Sequence, residues 1–455
     1  MLSRFVVKNL YSFKEQTEFN LFPGRATRLG HHRYKKNEIE VLKLSALYGA
    51  NGSGKSNLIK SIALLKEIVL SGRIPAVVDS LRFKLDAANQ KEPAELGIEF
   101  FCNTAFYYYS IAIKDNTIVE EYLGEVKGKG KEDILLFHRS IDEKRPSVKF
   151  FEGFTDSKEN SLLADVITKD LLKPQLLLLT LLRGISNDAF NEMRYIHDWF
   201  IDGLQVIFPT TSAFYMAHEL DINPTFRAFA NELMCSYHTG IMELRVEKRP
   251  IEDFLGKDNP ERLEEIKAKV AQPGDLVTLR ANSVEGADVV VVNEDGKIIA
   301  KQLVFLHRDI QGSPVVFSYR EESDGTRRLL EYLPALSWLL SGKPGVTFMV
   351  DEIERSIHPL MIKEILEKFS ADPNTTGQLI FSTHDTNLLD QEIFRTDEIW
   401  FAEKDLSGAS KLYPLSDFRE HNTIDIRKGY MNGRYGAIPF LGSLEALNWN
   451  KKQDA

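Results

Sequence analysis

Cysteine is nearly absent: Cys102 and Cys235 are the only two in 455 residues. They are far apart and match no CxxC or zinc-ligand spacing, which excludes a disulfide framework or a structural zinc site as a source of stability. Both thiols are expected to be buried and free, as in a reducing compartment. Long apolar runs are missing too. The longest, Leu176–Leu179 with Leu181 and Leu182, falls far short of the ~20 residues that span a bilayer. The opening Met1–Leu10 alternates and carries Arg4 and Lys8 inside its apolar stretch, unlike a signal peptide. A cytoplasmic protein without membrane contact is the expectation. Positive charge is not in surplus either. The net charge is −9, which argues against a surface that binds nucleic acid indiscriminately, because phosphate neutralisation needs a basic field. No internal repeat and no low-complexity tract interrupts the chain.

What is present is an ordinary globular composition, 43% hydrophobic and 27% charged, in a chain long enough for one to three domains. One local basic stretch stands out: Arg25, Arg28, Arg33, Lys35 and Lys36, with no acid between 25 and 36. A smaller one is Lys127, Lys129 and Lys131 in a glycine-spaced turn. Each reads either as a solvated loop or as a DNA contact.

The pattern of periods divides the chain. Residues 1–154 are strand-rich, with an N-terminal hairpin, a short buried strand at Leu42–Tyr48, one helix over Ser56–Leu70, and antiparallel strands between Leu96 and His138. Residues 155–275 have helical spacing, punctuated by Pro209, Pro224, Pro250 and Pro273. Residues 276–455 return to strands, including a hairpin at Glu294-Asp295-Gly296. This order predicts one α/β domain split by a helical insertion.

Three strand ends carry the chemistry. Gly49-Ala50-Asn51-Gly52-Ser53-Gly54-Lys55-Ser56 fits the phosphate-binding loop pattern, with an apolar strand before it and an amphipathic helix after it. Its backbone N–H groups and the helix N-terminus suit phosphate oxygens, Lys55 suits the β- and γ-phosphates, and the Ser56 hydroxyl suits Mg²⁺. Val346–Val350 is a buried strand ending in Asp351 and Glu352. Asp351 is the candidate for holding Mg²⁺, and Glu352 for orienting or deprotonating the attacking water. An acidic start to the next helix would look the same in isolation. Leu379–Phe381 is a third apolar strand, ending in Ser382, Thr383 and His384. His384 is a candidate γ-phosphate sensor, with Ser382 or Thr383 helping to place the water. It lies 33 residues beyond Asp351 with a helix between, a spacing that sets the two strand ends side by side.

These motifs, in this order, resemble the ABC-type ATPases of the SMC–RecN–RecF class, and the loop is especially similar through Asn51 and Asn57. The resemblance implies an α/β P-loop fold with an ABC-type head, ATP and Mg²⁺ as ligands, and ATP hydrolysis. In that class a signature loop of one protomer caps the ATP of the other, so a homodimer or higher homo-oligomer is implied. Glu322-Ser323-Asp324-Gly325-Thr326-Arg327-Arg328 stands where such a loop belongs, although it departs from Leu-Ser-Gly-Gly. Ser323 and the N–H of Gly325 would be its contacts, the alternative being a plain helix cap. Glu354–Pro359 resembles the loop that passes between the two ATP sites.

More closely, Val6–Phe13 and Arg434–Pro439 look like the stand-alone prokaryotic ATPases of abortive-infection and other anti-phage systems. No Toprim nuclease is expected in the short stretch after His384, so an effector would be a separate protein. The expected function is therefore an ATP-driven switch that dimerises around ATP and controls a nuclease or toxin. The alternatives are a DNA-repair or chromosome-maintenance ATPase acting on DNA, and a nucleotide-holding module without turnover.

Overall fold

The computed structural model describes the chain except residues 37, 129, 143–144, 212–215, 238, 256–259, 280–288, 341–344, 373–374, 419–424 and 439–455. Lys129 and Pro439, which figure in the sequence analysis, lie outside the described residues. The chain divides into two compact units. One comprises Met1–Val206, Pro344–Ile353 and Ser370–Ala455; the other comprises Ile207–Lys343 and Glu354–Phe369.

The first unit holds two large sheets and the small two-stranded sheet of Arg33–Lys36 and Ile39–Leu42. Seven antiparallel strands run in the order Arg145–Phe150, Ile134–Asp142, Thr117–Val126, Ala105–Lys114, Ala94–Cys102, Leu2–Lys8 and Thr17–Asn20. The last two form the expected N-terminal hairpin, with Phe5 opposite Phe19. The second sheet has four parallel strands at its centre, ordered Thr347–Val350, Gln378–Ser382, Leu44–Tyr48 and Ile399–Lys404. Ser410–Pro414 pairs antiparallel with Ile399–Lys404, and Leu204–Ile207 closes the far edge. The strands Leu44–Tyr48, Thr347–Val350 and Gln378–Ser382 are buried along their whole length, as befits parallel strands covered on both faces. The helix Lys55–Ser71 follows directly from the glycine loop and buries Leu58, Ile59, Ile62, Leu65, Ile68 and Val69. Its C-cap Gly72 adopts φ +67°, and its N–H donates to Ile68 O, a glycine stop in the left-handed region.

One buried amide ties the two sheets together. Gln378 Nε2 donates to Leu2 O and Leu42 O, both at 2.8 Å. Its Oε1 accepts from Leu2 N and Thr347 Oγ1, again at 2.8 Å. Gln378 and Thr347 are completely buried, so all four bonds are sheltered from water.

The second unit is built on a five-stranded antiparallel sheet. Glu243–Pro250, Lys297–Arg308, Val289–Glu294 and Leu276–Leu279 run in that order, and Pro314–Ser318 also pairs with Lys297–Arg308. Ile251, Ile266, Val270, Val289, Val291 and Ala300 form its core cluster. Among its helices are Pro224–Ser236, Pro260–Lys269 and Asp324–Leu340.

Several details differ from the sequence reading. The region read as a helical insertion over 155–275 also contains the strand Glu243–Pro250, whose charged residues alternate with Leu244 and Val246. The stretch Leu162–Leu182, whose apolar spacing suggests one continuous helix, is instead covered by a helix at Lys158–Val166, a π-turn at Ile167–Leu171 and a second helix at Leu178–Arg183. Pro174 cannot continue a helix. Cys102 is buried as expected, but Cys235 is exposed, near the end of the helix Pro224–Ser236. No helix among the described residues is long and apolar enough to cross a membrane.

Replacing Gln378 by leucine would remove the donor to Leu2 O and to Leu42 O and the acceptor of the Thr347 hydroxyl, while the Leu2 N–H keeps Thr347 Oγ1 at 3.1 Å. We expect a loss of about 3 kcal/mol or more, since each unsatisfied buried group costs roughly 1–3 kcal/mol. Urea denaturation of the variant measures it as a lowered midpoint.

Candidate functional site

The site lies at the carboxyl ends of the central parallel strands. Leu44–Tyr48 delivers the chain into the loop Gly49–Ser56 and then into the helix Lys55–Ser71. Two of the glycines are demanded by close approach. Gly49 has φ +152°, and a Cβ there would collide with Ala402 O and meet Ser53 Oγ at 2.7 Å. Gly54 has φ +117°, and a Cβ there would run into Ser410, whose Cβ would be 2.7 Å away. Both backbones occupy conformations that an L side chain rarely adopts.

Lys55 is buried at the start of the helix. Its Nζ donates to Gly49 O at 2.7 Å and Ala50 O at 3.2 Å, so the ammonium lies across the loop it belongs to. Ser53 is buried as well, and its Oγ has no hydrogen-bond partner. Asn51 and Gly52 are exposed at the loop's crown.

A serine network supports the loop from beneath. Ser410 Oγ bonds Ser12 Oγ and Ser53 O, both at 2.7 Å. Asn57 Nδ2 donates to Ser12 Oγ at 2.8 Å, and Ser410 N donates to Ser12 O at 2.7 Å. Neither Ser12 nor Ser410 is a candidate from sequence. They come from segments 398 positions apart, and lone small polar residues carry no distinguishing signal. Asn57, grouped with the loop from sequence, has this buttressing contact.

The two acidic and histidine strand ends are adjacent. Thr347–Val350 and Gln378–Ser382 pair in parallel with Val350 opposite Phe381. Asp351 is buried, and its Oδ1 accepts from Ser56 Oγ at 3.1 Å and from Ser382 Oγ at 2.5 Å. Ser382 Oγ also accepts from the Glu352 N–H at 2.9 Å. Ser382 thus fixes the carboxylate of one acid and the backbone of the next. Glu352 is half-buried with φ +52°, an uncommon conformation for a non-glycine residue. The following N–H, of Ile353, donates to Ser382 O at 3.1 Å. Thr383 N donates to Leu47 O at 3.0 Å, which locks the end of this strand to the strand entering the loop. His384 comes next and is exposed.

The structure therefore gathers Ser56, Asp351, Glu352 and Ser382 in one bonded group beside the glycine loop. The Ser56 hydroxyl and Asp351 carboxylate are hard oxygen donors 3.1 Å apart, and this donor set fits Mg²⁺ completed by phosphate and water. Among the described residues no group of three or more His, Cys, Asp or Glu could hold a metal without such outside ligands.

Ser323 and Gly325 belong to the other compact unit. Ser323 is exposed, and its Oγ accepts from Thr326 N at 3.1 Å, which caps the helix Asp324–Leu340. A Cβ on Gly325 would meet Ser356 O at 2.6 Å, so the helix start passes directly against the turn that follows Glu352 and Ile353 in sequence.

Three of the five cations of the basic stretch meet acids distant in sequence or across a hairpin. Arg33–Lys36 forms a strand paired with Ile39–Leu42. Arg33 and Lys35 share Glu40 at 3.2 and 3.1 Å, and Arg28 meets Glu392 at 2.6 Å. In the smaller cluster Lys127 pairs with Glu125, and Lys131 lies 3.9 Å from Glu38.

No curated protein sequence matches the chain. Similar solved structures include an SMC head bound to the C-winged helix domain of ScpA, at 13% identity and TM-score 0.41, covering 92% of this chain and 99% of that one. The SMC head domain from Thermotoga maritima is similar at 12% identity and TM-score 0.33, covering 91% and 98%. A third is an SMC head with an extended coiled coil bound to the C-terminal domain of ScpA, derived from Pyrococcus furiosus, at 14% identity and TM-score 0.37, covering 92% and 99%. A family model described as "AAA domain, putative AbiEii toxin, Type IV TA system" matches residues 44–194 and 206–390. With its phosphate-binding loop and acidic strand end inside that match, which spans well over half of its length, the chain belongs to this family of P-loop ATPases.

Proposed function

We propose that the chain hydrolyses ATP and uses the nucleotide state as a switch, two copies closing around ATP and separating after hydrolysis. The observation that carries this reading is the bonded group of Ser56, Asp351, Ser382 and Glu352 beside the glycine loop. The loop amides and the helix N-terminus bind the phosphates. Lys55 trades the carbonyls of Gly49 and Ala50 for phosphate oxygens, so its charge is never left without acceptors. Ser56 and Asp351 would hold Mg²⁺, which when bound supplies positive charge against the β- and γ-phosphates. Glu352, its backbone held by Ser382, takes or orients the proton of the attacking water. His384, solvent-facing at the next strand end, donates to the γ-phosphate and registers its presence. Ser323 and the Gly325 N–H cap the nucleotide of a second copy.

The family description names an abortive-infection toxin system, which supports a role in anti-phage defence. The controlled nuclease or toxin is proposed to be a separate protein. The DNA-acting alternative is weakened, since Arg28, Arg33 and Lys35 meet Glu392 and Glu40, although the stretch as a whole keeps an excess of positive charge.

The carboxylate-to-amide change Glu352→Gln should lower hydrolysis by about 10²–10⁴-fold, the range for loss of a general base, and leave ATP binding intact. The mass of this variant in solution, 51.9 kDa as a monomer, should double on adding Mg-ATP. Hydrolysis at the wild-type rate would remove Glu352 from its role, and an unchanged monomer mass would remove the sandwich.

Loop geometry gives a second expectation. Gly49→Ala forces a methyl group against Ala402 O, and calorimetric titration with ATP should show affinity reduced by about tenfold or more, the cost of a modest local strain. An unchanged circular dichroism spectrum would localise the damage to the loop.

A further inference from the structure

The segment between the strand Pro314–Ser318 and the helix Asp324–Leu340 is solvent-facing, with one exception. Glu321, Ser323 and Asp324 are exposed, whereas Glu322 is buried at 7% exposure. A buried carboxylate in an otherwise open loop needs a compensating donor. His307 supplies it: Nε2–H donates to Glu322 Oε1 at 2.5 Å. The histidine is itself fixed. It lies in the strand Lys297–Arg308, opposite Val315, and its ring packs against Phe317 with centroids 4.4 Å apart. On its other side the chain comes close enough at Gly240 that a Cβ there would touch Nδ1 at 3.4 Å.

Three residues further along, the loop is held a second time. Gly325 lies against Ser356 O, too close for any side chain. Ser323 sits between these two anchors. Its Oγ is already oriented by Thr326 N at 3.1 Å and Thr326 Oγ1 at 2.9 Å. An exposed serine flanked on both sides by buried, fully determined contacts has little conformational freedom left to lose.

We propose that His307 and Glu322 are positioning residues: their bond holds the loop in the one shape in which Ser323 and the Gly325 N–H can cap a nucleotide on a second copy of the chain. This rests on the trans-capping reading above. Neither residue touches nucleotide. They act through Ser323, and their contribution is to closure of the two copies, leaving the affinity of each copy's own glycine loop for ATP unaffected.

The test compares the full-length protein with His307→Ala, His307→Phe, His307→Gln, Ser323→Ala and the His307→Ala/Ser323→Ala double variant. Hydrolysis is measured against protein concentration, ATP affinity by titration of the monomer, and folding by thermal melting. His307→Ala should lower hydrolysis about tenfold, the scale of one buried charge-assisted bond, with monomer ATP affinity unchanged. His307→Gln keeps an N–H donor and should restore most of the rate. His307→Phe keeps the packing on Phe317 without the donor, so it should match His307→Ala even if the alanine variant folds poorly. In the Ser323→Ala background, where only the Gly325 N–H is left to position, His307→Ala should cost clearly less than it does alone, because coupled residues are non-additive. Additive losses, or a wild-type rate in both His307→Ala and His307→Phe beside a damaged Ser323→Ala, would overturn the clamp and leave the cap standing. A wild-type rate in Ser323→Ala would overturn the cap, and the clamp with it.

Discussion

A parallel strand covered on both faces has nowhere to put a charge except its ends, and this constraint decides where the chemistry of the chain sits. The strands Leu44–Tyr48, Thr347–Val350 and Gln378–Ser382 are buried throughout. Every polar group they contribute is therefore either paired inside the sheet, as Gln378 and Thr347 are, or delivered at the carboxyl edge. Because the three strands run in the same direction, their carboxyl ends coincide. The glycine loop, the two acids and the histidine arrive together without any of them having to be placed by a long loop. Gln378 contributes from the opposite end of its strand. By bonding Leu2, Leu42 and Thr347 it sets the register that brings Ser382 beside Asp351.

That arrangement also settles how the buried Asp351 is tolerated. A carboxylate removed from water must be hydrogen-bonded or paired. Two hydroxyls meet its Oδ1, one from the loop helix and one from the neighbouring strand. The Ser382 bond is short at 2.5 Å and the Ser56 bond longer at 3.1 Å, and both donors come from regular elements, so the acid is held in place before any ligand arrives. Lys55 follows the same logic with opposite sign. Its ammonium lies on two carbonyls of its own loop, so phosphate binding exchanges one set of acceptors for a stronger, charged one. Both exchanges keep the desolvation cost of binding low.

The strand-end motifs were legible in the sequence because each couples a short apolar run to polar residues at fixed spacing, a pattern that survives without knowledge of tertiary contacts. The side-by-side placement of the Asp351 and His384 strands followed from one intervening helix. What escaped was whatever depends on residues distant in sequence. Ser12, in a turn, and Ser410, at the start of the strand Ser410–Pro414, are ordinary serines until folding brings them under Ser53. Arg33 and Lys35 read as a bare basic stretch because the acid they share, Glu40, lies just outside it, across a hairpin turn. Glu243–Pro250 was hidden among helices because its exposed face is Glu, Arg, Glu, Arg, a pattern that an edge strand and a solvated helix both permit. His307 and Glu322 are 15 positions apart and share no periodicity, so only the folded hairpin reveals them as a pair.

The case for turnover over mere nucleotide storage rests on strain. On the proposed reading, the glycines and Lys55 would be enough to hold phosphates, and Asp351 with Ser56 enough for a metal. Nothing in binding calls for a second acid immediately after Asp351 in a left-handed backbone. Yet Glu352 stands at φ +52°, a conformation that costs a β-carbon residue roughly 1–2 kcal/mol. A glycine or asparagine would occupy that position more comfortably. The strain is held by the N–H bond to Ser382 and by the next N–H to Ser382 O, two contacts spent on fixing one side chain's origin. Such over-determined outliers cluster where a group must be aimed, and a carboxylate aimed from beside a phosphate loop is what activating a water requires.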